Sequence, residues 1–230
     1  MPTFIRLATK ADEPALSRIC LLTAHAGTSA EALHAYPELP GLLCALPYVN
    51  LPSTWAFLLV DKPSGELEHE DIVGYCIGSS DTRTFEAAAS ETWWPSLQGK
   101  YGPLMLPDQL VEPPPKHADR QYINTIMNFP LASDAQIMFS PAHLHVNILP
   151  SHQRKGHGRQ LIRRAMQHLD EQRINGVWLG FDPSNQKAAK FYERLGFKPL
   201  KGTPLVVGIT VQEFRDRWDG GTSNSQPMNV

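Results

Sequence analysis

The stretch Gln153-Arg154-Lys155-Gly156-His157-Gly158-Arg159 stands between a strand pattern and a helix pattern, and its reading decides the fold. Before it, His-Leu-His-Val-Asn-Ile-Leu at 143–149 alternates with period two, and Pro150 ends the run. After it, Leu161, Ile162, Ala165, Met166 and Leu169 recur at helical spacing and mark one buried face. A strand, a glycine-containing turn and a helix make a site for a phosphorylated ligand. The first N–H groups of a helix have no partner inside it, and the helix dipole favours negative charge there. Gly156 and Gly158 permit unusual dihedrals and let the backbone approach a ligand closely. Two familiar nucleotide loops fit poorly. The dinucleotide fingerprint needs a third glycine where Leu161 stands, and the P-loop needs a Gly-Lys-Ser/Thr that is absent.

The next stretch narrows the choice. Gly-Val-Trp-Leu-Gly-Phe at 176–181 reads as another buried strand, followed by Asp182-Pro183-Ser184-Asn185 and a helix that Gly196 closes as a left-handed residue. On that helix Asn185, Ala188, Ala189 and Tyr192 share one face, because seven residues make almost two turns. Gln-x-x-Gly-x-Gly at 153–158, with Asn185 and Tyr192 behind it, resembles the acetyl-CoA-dependent N-acetyltransferases of the GNAT superfamily. That resemblance implies an α/β (α+β) fold with a central mixed, mostly antiparallel sheet flanked by helices. It implies acetyl-CoA (coenzyme A) as cofactor, no metal, and transfer of acetyl to a primary amine by direct attack in a ternary complex. The acceptor stays unknown, a protein lysine among the candidates.

The resemblance also assigns roles. Backbone N–H groups of 154–159 hold the pyrophosphate, with Gln153, Arg154, Lys155, Gly156, His157, Gly158 and Arg159 as the loop. Ile148 and Leu149 offer backbone contacts to the thioester and pantetheine. Asn185, Ala188 and Ala189 line the pantetheine arm, and Tyr192 is the general acid for the leaving thiolate. Asp182 and Asp81 each follow a strand and are the candidate bases, though either serves equally as a helix cap or turn former. His145 and Asn147 lie on one strand face as substrate-lining candidates. A zinc site there lacks further ligands at metal spacing.

A narrower likeness runs through Ile5-Arg6-Leu7, the helix around 17–23, Gly74 to Gly78 followed by Asp81, Trp93-Trp94-Pro95, and His143-Leu144-His145. These residues resemble the acetyltransferase-like C-terminal domains of O-GlcNAc hydrolases and their free-standing bacterial and fungal relatives. That subgroup has an acid where Asn147 stands, and asparagine takes no proton. A non-catalytic acetyl-CoA-binding or protein-interaction module of the same fold is therefore the rival reading.

Composition sets the bounds. The 230 residues carry a formal charge of −2 and 42% apolar side chains, enough for an ordinary core and without general attraction to nucleic acid or membrane. Charge is uneven: 1–150 holds 8 basic and 16 acidic residues, whereas 151–201 holds 11 basic and 4 acidic. The basic part contains the phosphate loop. Cys20, Cys44 and Cys76 are odd in number and widely spaced, so they read as free thiols of the cytoplasm or nucleus. No run approaches the ~20 apolar residues of a membrane span, and the N-terminus lacks the basic segment and apolar run expected of a signal peptide. A monomer and a homodimer are both admissible.

Taken in order, 1–218 reads as one domain and 219–230 as a flexible tail. Phe4 to Leu7 forms the first strand, and Asp12 with Pro14 opens the first helix as N-cap and first-turn proline. The part from 24 to 52 is loop and short helix. Strands at 55–60 and 72–78 form a hairpin across a Glu-rich turn. Residues 82–141 are a long insertion before the fourth core strand, with a helix at 86–97 and breaks at Pro103, Pro107 and 113–115. Trp93 and Trp94 argue that it packs as a lid. The last strand falls at 204–211 and a short terminal helix at 211–218.

Overall fold

The computed structural model of this chain describes residues 3–62, 70–106, 111–203 and 205–218. They form a seven-stranded sheet in the order β1-β2-β3-β4-β5-β7-β6. The strands are β1 (Thr3–Leu7), β2 (Thr54–Asp61), β3 (Asp71–Ser79), β4 (His143–Ile148), β5 (Gly176–Gly180), β6 (Lys198–Pro199) and β7 (Val206–Thr210). Neighbours are antiparallel except β4 and β5, which are parallel. The helices are α1 (Glu13–Leu21), α2 (Leu39–Cys44), α3 (Pro47–Asn50), α4 (Thr82–Ala88), α5 (Trp94–Tyr101), α6 (His117–Met127), α7 (Asp134–Phe139), α8 (His157–Glu171), α9 (Gln186–Leu195) and α10 (Val211–Trp218). The expected mixed, mostly antiparallel sheet is present. The expected tail at 219–230, most of the Glu-rich turn, Pro107 and Pro204 lie outside the described residues.

Strand β2 is buried on both faces, and its alternate side chains feed two cores. Trp55, Phe57 and Leu59 pack with Leu161, Ile162, Ala165, Met166 and Leu169 of α8. Each of the large side chains on that helix face contributes about 1.5–3 kcal/mol by leaving water. On the other face Ala56, Leu58 and Val60 pack with Leu16, Ile19 and Cys20 of α1. Strand β3 changes sides midway. Leu59 pairs with Gly74 and Val60 with Ile72, so Val73 is one residue too many, a bulge. Val73 therefore joins the α8 core with Cys76, while Tyr75 and Ile77 join the α1 core. The bulged carbonyl accepts the amide of Leu149 at 2.9 Å and so anchors the end of β4.

The helix starts need two corrections. Asp12 does not cap α1 with its side chain. Its carboxylate takes the Thr9 amide at 2.7 Å and a bidentate Arg6 at 2.8 and 2.9 Å, because the guanidinium fork outcompetes a lone amide. Pro14 does stand in the first turn. The helix expected at 86–97 begins earlier, at Thr82, where Asp81 accepts the Thr84 amide at 3.0 Å. It then runs through a π turn (Ala89–Trp93) into α5.

The prolines do not dissolve the insertion. Pro103 sits in a 3₁₀ turn, and α6 and α7 follow, neither foreseen. Ala89, Trp94, Leu97, Tyr101, Ile123 and Ile126 close a third core around Leu39 of α2. Its polar anchor is Asp119, fully buried, which accepts His34 Nδ1 at 2.7 Å and the amides of Ala35 and Lys116 at 2.8 Å each. Burial opposes the charge, but these donors outweigh it and hold the carboxyl below its ordinary 3.8. Glu86 repeats the device, taking the Ala132 amide at 2.6 Å and Arg83 at 2.7 Å.

Asp119→Ala strands buried donors and is expected to cost about 3–5 kcal/mol at neutral pH. Since the folded carboxyl binds its proton more weakly than the unfolded one, its stabilisation is complete above about pH 4 and fades as pH falls through the folded value. Urea melts at pH 7 and pH 3 test this: the gap between Asp119→Ala and wild type should narrow in acid, and an equal gap at both contradicts it.

Candidate functional site

The site begins where the sheet opens. Strands β4 and β5 pair only at His143 and Trp178, with the Trp178 amide 3.2 Å from the Ala142 carbonyl. Beyond that pair the strands part. Leu149 turns its amide to β3, and its carbonyl accepts the His152 amide at 2.8 Å. Its amide is thus engaged within the sheet, while its carbonyl keeps a second lone pair. Backbone direction alternates along a strand, so the Ile148 amide faces the opening instead.

The loop after β4 is shaped by Arg154 and Gly156, with φ of 61° and 88°. Only glycine takes the second of these without strain, and a Cβ there would meet open space. Arg154, Lys155, Gly156 and Arg159 are exposed, His157 and Gly158 half-buried. Gly156 precedes the first turn of α8, fifteen residues long and without an acid in that turn. Its first N–H groups and its dipole suit an anion. Gly158 serves packing as well: a Cβ there would lie 2.8 Å from Phe191 Cζ on α9. Gln153 acts as a clasp, its amide donating to the carbonyls of Ile148 at 2.9 Å and Gly27 at 3.2 Å.

Helix α9 faces the same opening. Asn185 caps it, accepting the Ala188 amide at 3.0 Å, and Gly196 ends it with φ of 100°. Asn185, Ala188 and Ala189 are half-buried and Tyr192 is 7% exposed; Lys187 and Lys190 point to solvent. The Tyr192 ring packs against Phe181, Phe191 and Phe197. Its hydroxyl has no hydrogen-bond partner among the described residues. It is not sealed off either, since the fully buried unpartnered side-chain atoms there are Trp55 Nε1 and Asp61 Oδ1. Burial pushes the phenol well above its usual range, so it keeps its proton at neutral pH.

Across β4 lies a polar wall. Tyr48 of α3 sits between two histidines, its hydroxyl 2.8 Å from His143 Nε2 and 3.0 Å from His145 Nε2. Thr82 bonds His143 Nδ1 at 2.7 Å. Asn147 bonds the hydroxyl of Thr23, which follows α1. Tyr48, Thr23 and Thr82 had no sequence signal, because Tyr48 is 95 and 97 residues from the histidines it joins.

The two aspartates stand as turn formers. Asp81 caps α4. Asp182 is exposed and accepts the Ser184 hydroxyl at 2.7 Å and amide at 2.8 Å; these bonds, led by the hydroxyl, lower its pKa. A surface hollow of about 350 Å³ lies elsewhere, between α10 and the β6–β7 edge, where Lys198 and Glu213 pair with each other.

Residues 138–197, from the last turn of α7 to just past α9, match the model of the acetyltransferase (GNAT) family. Among solved structures, SsHAT is 28% identical, with 92% of this chain and 99% of that one covered and a TM-score of 0.72. An acetyltransferase of the GNAT family from Staphylococcus aureus Mu50 shares the fold at 12% identity, with 91% and 99% covered and a TM-score of 0.50. This chain therefore has the GNAT fold, and its segment 138–197 matches the GNAT-family model.

Proposed function

We propose that this protein is an acetyl-CoA-dependent N-acetyltransferase acting on a primary amine by direct attack in a ternary complex. The observation that carries the reading is the Tyr192 hydroxyl, protonated and unpartnered on α9, the helix that follows β5. Acetyl-CoA, when bound, supplies the acetyl group as a thioester. Amides at the start of α8 hold the pyrophosphate, and Arg154, Lys155 and Arg159 add charge-assisted contacts. The Ile148 amide donates to the thioester oxygen as negative charge develops there. Tyr192 gives its proton to the departing sulfur. The acidic balance of the first 150 residues, 8 basic against 16 acidic, favours acceptors that are cationic in solution, such as lysine side chains or polyamines. Trp93-Trp94-Pro95 and His143-Leu144-His145 support the narrower kinship with the C-terminal domains of O-GlcNAc hydrolases.

One observation favours the rival, a binding module without turnover. Of the two aspartates considered as bases, Asp81 is engaged as a cap and Asp182 in a turn, and Asn147 takes no proton. Free coenzyme A released across a panel of amines separates the two: turnover with at least one amine supports the enzyme, and none supports the module.

Two outcomes test the cofactor and acid roles. Calorimetric titration of acetyl-CoA should show binding to wild type and a loss of about tenfold or more in a Gly156→Glu/Gly158→Glu variant, where carboxylates meet the helix dipole; equal affinity contradicts the loop assignment. Tyr192→Phe should lower kcat by about 10²- to 10⁴-fold with acetyl-CoA affinity kept. Parental kcat across pH removes Tyr192 from the mechanism.

A further inference from the structure

Hydrogen-bond geometry fixes the protons along the polar wall. Thr82 Oγ1 is 2.6 Å from the Pro141 carbonyl, which only accepts, so the single hydroxyl hydrogen lies there. The same oxygen is 2.7 Å from His143 Nδ1, which must therefore donate. Burial, with a minor contribution from His145, lowers His143 to about 3, so it is neutral with one N–H, and its Nε2 is bare. Tyr48, whose phenol burial holds protonated, donates to that Nε2 at 2.8 Å. The Tyr48 oxygen then accepts His145 Nε2–H at 3.0 Å. His145, lowered by burial to about 4, is also neutral, and its lone pair stands at Nδ1.

Asn147 follows the same logic. Thr23 Oγ1 gives its hydrogen to the Ile19 carbonyl at 2.7 Å, so it accepts from Asn147 Nδ2 and leaves Asn147 Oδ1 turned outward. His145 and Asn147 are two apart on β4 and share a face. Neither His145 Nδ1 nor Asn147 Oδ1 has a partner among the described residues, and neither is a sealed buried atom. The wall thus carries two bare acceptors on one face of β4.

We propose that His145 is the general base of acetyl transfer, taking the amine proton on Nδ1 while Asn147 Oδ1 accepts a second N–H. Tyr48, His143 and Thr82 are positioning residues that hold His145 in the required tautomer. This role rests on the transferase reading of the site. The balance closes: the C–N bond forms, the C–S bond breaks, His145 takes the nitrogen's proton and Tyr192 gives one to the sulfur. Return of a proton from His145 to Tyr192 through solvent resets both groups. Attack makes the nitrogen cationic and its proton acidic, so a base that stays neutral throughout the physiological range is suited to receive it. Two acceptors also set the substrate class. A primary amine offers an N–H to each while its lone pair attacks; a secondary amine offers one.

The experiment compares wild type, His145→Ala, His145→Asn and Tyr48→Phe with a primary amine turned over by wild type and with its N-methyl form. Both His145 variants should lose about 10²- to 10⁴-fold in kcat with acetyl-CoA affinity unchanged. Added imidazole should restore part of the His145→Ala rate, which a purely structural role does not allow. Tyr48→Phe should lower kcat about tenfold, and wild type should disfavour the N-methyl amine about fivefold, the share of one hydrogen bond. Should His145→Ala fail to fold, His145→Asn, which keeps polarity without basicity, decides between the outcomes. A variant that binds acetyl-CoA and turns over within about threefold of wild type overturns the proposal and leaves the transferase reading standing. Wild type that acetylates no amine overturns both.

Discussion

The candidate site depends on one failure of pairing. Strands β4 and β5 meet at a single residue pair, His143 with Trp178, and then separate. An unpaired buried amide is costly, so such an opening persists only where something else meets its polar groups. On one side Gln153 takes the Ile148 carbonyl; the bulge at Val73 takes the Leu149 amide. The Ile148 amide is left facing the gap. The sheet thereby holds open a slot with a donor at its edge and the loop into α8 following directly from β4.

The two sides of β4 divide the chemistry. Even-numbered side chains, Leu144, Val146 and Ile148, belong to the apolar α8 core. Odd-numbered ones, His143, His145 and Asn147, form the polar wall against α1 and α3. Strand geometry thus puts the apolar and the polar side chains on opposite faces of one strand. The bulge in β3 matters to both, because it shifts one strand's facing without breaking the sheet. The helices of the insertion close the neighbouring ground. Burial first, and then the neighbouring cysteines, push the phenol of Tyr122 on α6 well above its usual range.

Much of this was legible in the residues. The α8 stripe from Leu161 to Leu169 is buried as its spacing foretold, and Gly196 ends α9 in the left-handed region. Local patterns of this kind survive folding because the helix itself fixes them. What was missed is non-local. Asp12 looked like an N-cap and instead pairs with Arg6, since a cap signal says nothing about a cation on the adjacent strand. The prolines of the insertion looked like breaks, yet α6 forms after them because Asp119 finds His34 across the fold. Leu149 looked free until the bulge supplied its acceptor. The Tyr48 bridge between His143 and His145 could not be read at all, as nothing in spacing links residues that far apart.

If the opening between β4 and β5 receives a thioester within reach of Tyr192, a crystal structure of the acetyl-CoA complex will show it most directly. The expected result is the thioester oxygen at hydrogen-bond distance from the Ile148 amide, the sulfur beside the Tyr192 hydroxyl, and the pyrophosphate on the first amides of α8. Acetyl-CoA bound elsewhere, or with its sulfur remote from Tyr192, would contradict this arrangement.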